Sequence, residues 1–102
     1  MDRVAMLQEV LAHNPKDTFA RYGLAMEYVN LGDTSTALAE FRTLLEANPD
    51  YAAGYQMAAQ TLMKAGRDEE ARKMLEDGIA CAIRIRNQHA RSEMEAMLDE
   101  LR

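Results

Sequence analysis

Apolar residues recur at helical rather than strand spacing along almost the whole chain. Val4, Leu7, Val10 and Leu11 make a first stripe within residues 2–13, with Arg3, Gln8, Glu9 and Ala12 between them. Asn14-Pro15 stops that helix, because the proline ring pushes the residue before it out of the α region. A second helix is expected from a cap at Asp17 or Thr18 to about Leu31, where Gly32 supplies a left-handed turn without steric cost. A third runs from Asp33 or Thr34 to about Ala47 and stops at Asn48-Pro49. The cycle then repeats. One helix covers about Asp50 to Ala65 before Gly66, and the next starts near Asp68 with Ala71, Met74, Leu75, Gly78, Ile79 and Ala82 on one face. Ile83 stands where a third proline is due, so an extra turn through Arg84-Ile85-Arg86 is open to this helix. Asn87 is the break the sequence offers, with one unbroken helix over 68–101 as the alternative. The last segment, about Gln88 to Leu101, sets Ala90, Met94, Met97, Leu98 and Leu101 against Arg91, Glu93, Glu95, Asp99 and Glu100. One face wants burial and the other water, as in a helix that caps a stack.

Pro15 and Pro49 stand 34 residues apart, and the same shift superimposes more than the prolines. Residues 4–15 fall on 38–49 as Val4/Leu38, Leu7/Phe41, Val10/Leu44, Leu11/Leu45, Asn14/Asn48 and Pro15/Pro49. Residues 18–47 fall on 52–81 with matches at Ala25/Ala59, Gly32/Gly66 and Ala37/Ala71. Small side chains at these alanines let paired helices approach closely, and Tyr28, Phe41, Leu62 and Leu75 are expected to fill the layer between them. No such helix can bury its stripe alone, so stacking is required.

A helix–turn–helix unit of this period resembles the tetratricopeptide repeat. The resemblance rests on Leu24-Ala25, Tyr28, Gly32, Ala37, Phe41 and Pro49 in one repeat. In the next it rests on Tyr55, Ala58-Ala59, Leu62, Gly66, Ala71, Leu75 and Gly78. It implies an all-α, right-handed superhelix of helix pairs forming one domain over 1–102. Its parts are a half-repeat helix (2–14), two repeats (18–51 and 52–85) and a capping helix (87–102). Arg21 departs from the family pattern, which favours tryptophan or another apolar residue there, and is expected to loosen the inner layer.

The resemblance also implies a concave face built mainly from the first helix of each pair, which holds a peptide or a partner segment. On the first repeat that face is Phe19, Tyr22, Met26 and Val29, a stripe well around the helix from Leu24, Ala25 and Tyr28, which should point at the repeat's own second helix. Either the stripe is a partly exposed contact patch or the N-terminal helix folds over it. In the second repeat the matching face carries Ala53, Gln56, Gln60 and Met63, with Lys64 beside them. The family's chaperone-tail clamp, built from groove lysines and asparagines, is not expected here. Tyr22, Met26, Gln56 and Gln60 hold those positions, and Asn30 and Lys64 do not make a clamp.

Composition narrows the function further. Hydrophobic residues make up 48% and charged ones 28% of 102 residues, as in a folded domain. A net charge of −5 disfavours nucleic acid and a polybasic membrane anchor. No apolar run approaches the roughly 18 residues of a span. Without a signal sequence and with one cysteine, Cys81, the expectation is a cytoplasmic protein. His13, His89 and Cys81 lie far apart without metal-ligand spacing, so no metal, no cofactor and no enzyme activity are expected. Glu69-Glu70 oppose a helix's positive end rather than forming an acid–base pair. Arg84, Arg86 and Arg91 make the one local basic spot. The expected work is a protein-interaction scaffold, binding a peptide or pairing with a second copy through the open N-terminal edge. The alternative is a non-catalytic regulatory subunit of an enzyme assembly.

Overall fold

A computed structural model of the chain describes residues 2–102, and these are all helix and turn. The helices are α1 (Arg3–His13), α2 (Thr18–Asn30), α3 (Thr34–Ala47), α4 (Ala52–Lys64), α5 (Asp68–Arg84) and α6 (Gln88–Glu100). Four have a side-chain cap on the third helical amide: Asp2 on Ala5, Asp17 on Ala20, Asp33 on Thr36 and Asn87 on Ala90. Helix α4 starts at Ala52, two residues later than expected, after Tyr51, which makes no side-chain cap bond. Helix α5 follows Arg67, likewise without such a bond, and carries Asp68, Glu69 and Glu70 in its first turn against the positive helix end.

Three helices end in the same way. After α2, the Gly32 amide bonds Val29 and the Asp33 amide bonds the Tyr28 carbonyl; after α4, Gly66 and Arg67 do so with Met63 and Leu62. Both glycines have positive φ, 78° and 74°. After α5 the pattern recurs with Arg86 in the left-handed position, at φ 61°, and the Asn87 amide on the Ala82 carbonyl at 2.8 Å. The break expected near residue 87 is therefore a proper helix stop, made without glycine or proline. A side chain in this conformation costs about 1 kcal/mol. Arg86→Gly is accordingly expected to raise unfolding free energy by about 0.5–1 kcal/mol, read from the denaturant midpoint.

The chain divides into two compact units, one ending at Asn48 and the other covering Pro49–Arg102. In the first, α1 packs on α2 through Leu11, Ala20 and Leu24, with Val4, Leu7 and Tyr28 around them. Two expectations change here. Val10 is not part of the buried stripe but 41% exposed. Leu24 and Tyr28 join the layer with α1, and it is Tyr22 whose ring meets Phe41 of α3 edge-on, at 6.3 Å and 64°. Ala25, Ala37 and Phe41 are fully buried.

Arg21 does not loosen this unit. Its guanidinium donates to Glu40 at 2.7 Å and to the Pro15 carbonyl at 3.3 Å, and both charged side chains are mostly buried. Tyr55, 34 residues on, donates its hydroxyl to the Pro49 carbonyl at 2.8 Å. The two residues hold equivalent prolines by different chemistry, so a donor and not an indole is what this position supplies.

In the second unit α4, α5 and α6 enclose Ala59, Leu75, Cys81, Ala82 and Met94. Gly78 lies at their closest approach: a Cβ there would stand 2.5 Å from Met94 Sδ and 2.7 Å from Tyr55 Cβ. Helices α2, α4 and α6 each have 13 residues. Helix α5 has 17 against 14 in α3, so α6 matches α4 at a shift of 36 rather than 34.

Candidate partner-binding surfaces

The first-helix residues singled out from the sequence fall on two surfaces, one in each unit. On α2, Phe19 is 79% exposed, whereas Tyr22, Met26 and Val29 are half-buried. Helix α1 packs on the Ala20, Leu24 and Tyr28 side, which leaves the Phe19 ring in solvent. Exposing a phenyl costs about 2 kcal/mol relative to burying it, and nothing local recovers that here.

On α4, Gln56, Gln60 and Met63 are half-buried and Lys64 is exposed. Gln60, Met63 and Lys64 line a pocket of about 430 Å³ together with Met97 and Glu100 of α6. Gln56 Nε2 donates to Glu93 of α6 at 2.9 Å, and the same carboxylate meets His89 through its other oxygen. The pocket thus offers two flexible thioether side chains, a primary amide and one charge of each sign. That set offers dispersion contact from the thioethers and hydrogen-bond donors and acceptors from Gln60, Lys64 and Glu100.

The α6 members of this pocket escaped the sequence reading, which gave Met97 to the buried stripe and Glu100 to water. A shift of 36 sets Glu100 on the position of Lys64, whereas Met97 falls on buried Thr61 and no shift of the α4 face at that register singles it out. Asn30 is exposed at the end of α2.

The chemically reactive residues stay apart from this. Cys81 is buried, and burial pushes its thiol up from the ordinary range, which opposes a thiolate nucleophile. Tyr55 is raised by burial first and by the neighbouring Cys81 next. His13 Nδ1 lies 3.0 Å from the Glu9 carbonyl in the last turn of α1. No group of three or more His, Cys, Asp or Glu among the described residues is placed to hold a metal. Two of the three arginines of the basic spot are already engaged, Arg84 with Asp50 and the Pro49 carbonyl and Arg91 with Glu95. No helix is long and apolar enough to cross a membrane among the described residues.

The tetratricopeptide repeat family model matches residues 4–60 and again 28–82. A TPR repeat-containing protein of Pseudomonas aeruginosa is 30% identical over 95 residues, 93% of this chain and 90% of that protein. The chain belongs to the tetratricopeptide repeat (TPR) family. A solved TPR domain protein from Salinibacter ruber is 31% identical, with a TM-score of 0.81 over 86% of this chain and 89% of its own. YrrB, a TPR protein with an unusual peptide-binding site, is 25% identical, with a TM-score of 0.78 over 91% of this chain and 46% of its own. The all-α helical-repeat fold expected from the 34-residue period is the one present. Arg21 and Arg86 show how a TPR chain keeps its geometry where the usual apolar residue and the glycine are replaced.

Proposed function

We propose that this TPR chain is a non-catalytic scaffold that holds segments of a partner protein on the outward faces of its first helices, Phe19, Tyr22, Met26 and Val29 on α2, and Gln56, Gln60, Met63 and Lys64 on α4. The observation that carries this reading is the α4/α6 pocket, apolar at Met63 and Met97 and rimmed by Gln60, Lys64 and Glu100. A pocket of that volume that sets two thioethers beside an amide and two opposite charges can seat a side chain and fix its orientation. The exposed Phe19 ring gives the first unit an anchor of the type that dominates interfaces. The peptide-binding site of YrrB supports the same kind of work for a TPR relative.

The test is selection of binders from a random peptide library on the intact chain. Gln60→Glu and Met63→Asp are each expected to weaken the selected peptides at least about tenfold, about 1.4 kcal/mol, with unchanged helicity. Thr43→Asp, on the solvent side of α3, is the control and should leave affinity alone. Binders indifferent to both α4 changes and to Phe19→Asp on α2, or lost equally with Thr43→Asp, would overturn the reading.

A further inference from the structure

We infer that the chain associates with a second copy of itself head to tail, α1 of one copy lying in the groove between α5 and α6 of the next. This rests on the repeat register and not on the partner-binding faces of α2 and α4.

The groove is a pocket of about 510 Å³ lined by Glu76, Ile79, Glu95, Leu98, Asp99 and Arg102. The shift of 36 sets Glu95 on Ala59 and Leu98 on Leu62, and a further 34 sets them on Ala25 and Tyr28. Ala25, Ala59 and Leu62 are buried in their hairpins, where a second helix packs on the first. The same face of α6 is open: the Glu95 side chain is 47% exposed.

Helix α1 carries the matching half. Arg3, Met6, Val10 and His13 form one stripe at helical spacing, and the shift of 34 sets them on Ala37, Glu40, Leu44 and Ala47 of α3. Of these, Ala37 and Leu44 are buried and Glu40 mostly so. On α1 the stripe is exposed, Met6 by 46% and Val10 by 41%. At the position where each hairpin has a buried alanine on both helices, α1 has Arg3 and α6 has Glu95. The charges are opposite, and the groove lining has three carboxylates, Glu95 meeting Arg91 at 3.4 Å and Asp99 meeting Arg102 at 3.6 Å as exposed pairs that leave Glu76 over. Arg3 donates to Glu27 at 2.6 Å and, with its own side chain 62% exposed, has further N–H groups for Glu95 of the next copy. Glu9, the one carboxylate within α1, falls by helical spacing on the side directly away from α2, clear of the stripe's Arg3–Val10 edge, and the Asp2 carboxylate is held on the Ala5 amide as the helix cap. Long side chains at the contact keep the helices farther apart than an alanine pair does, so this association is weaker than a hairpin within the chain. The two faces differ, so the contact is heterologous and continues from copy to copy.

Light scattering and sedimentation on the intact chain test this, with protein concentration raised to about 1 mM. Average mass is expected to rise at least about twofold above the monomer and to fall back in high salt. Val10→Asp, with Met6→Asp as the second variant, blocks the α1 face; Glu95→Lys with Asp99→Lys blocks the groove. Each should stay monomeric with unchanged helicity. Mixed together, Val10→Asp still offers a groove and Glu95→Lys/Asp99→Lys still offers α1, so the mixture should stop at a 1:1 dimer. A wild-type mass that stays monomeric throughout would overturn the inference. So would association of the wild type that persists in each variant alone, or a mixture that fails to pair.

Discussion

Truncating Phe41 to alanine is expected to cost about 3–5 kcal/mol of unfolding free energy, while the same truncation at Phe19 stays within about 0.5 kcal/mol. Both are phenylalanines on helices of the first unit, and their surroundings differ completely. Phe41 has no exposed surface and takes the edge of Tyr22 against its ring, so removing it leaves a cavity between α2 and α3 and an unsupported aromatic neighbour. Phe19 is 79% exposed and gives up almost no contact. Since a domain of this size has a total stability of about 5–15 kcal/mol, the first change should leave the chain marginal and the second invisible. Urea denaturation of the two variants beside the parent decides it. Equal costs would mean that the layer between α2 and α3 is wrongly assigned.

Gly78→Val is the second large effect, expected at about 3 kcal/mol or more. Ordinary helix propensity argues the other way, since glycine inside a helix costs about 1 kcal/mol relative to alanine. Here geometry overrides it. Tyr55 Cβ, 2.7 Å from an added Cβ, is fixed to the α4 backbone and cannot swing aside, and Met94 Sδ closes the other side. Gly78→Ala, favourable by propensity, should therefore still destabilise by about 1 kcal/mol. Thermal melts of the two variants give the sign directly. A stabilised alanine variant would show that α4, α5 and α6 do not converge on this residue.

Most of the fold was legible because its signals are local and repeat. Prolines, glycines and capping aspartates mark helix ends within a residue or two, and the 34-residue shift places each stripe. What was not legible depends on neighbours. Val10 and Leu11 are adjacent apolar residues on α1, and only the direction from which α2 approaches decides that Leu11 is buried and Val10 is not. Tyr22 and Tyr28 exchanged roles for the same reason. Arg21 looked like a defect because the pattern records residue types; the structure shows a hydrogen-bond donor holding the Pro15 carbonyl. On the proposed binding faces, sequence named the α2 and α4 residues from the family resemblance. It missed Glu100 because the longer α5 moves α6 out of the 34-residue register, and Met97 because an apolar residue beside a buried stripe reads as core until α4 is seen across from it.

The outward faces of the first helices are the proposed binding surfaces. Amide chemical-shift mapping on the ¹⁵N-labelled chain, titrated with a library-selected peptide, tests this most directly. The expected shifts concentrate at Gln60, Met63 and Lys64 with Met97 and Glu100, or at Phe19, Tyr22, Met26 and Val29. Shifts gathered on the solvent sides of α3 and α5, around Thr43 and Asp77, with α2 and α4 silent, would contradict it.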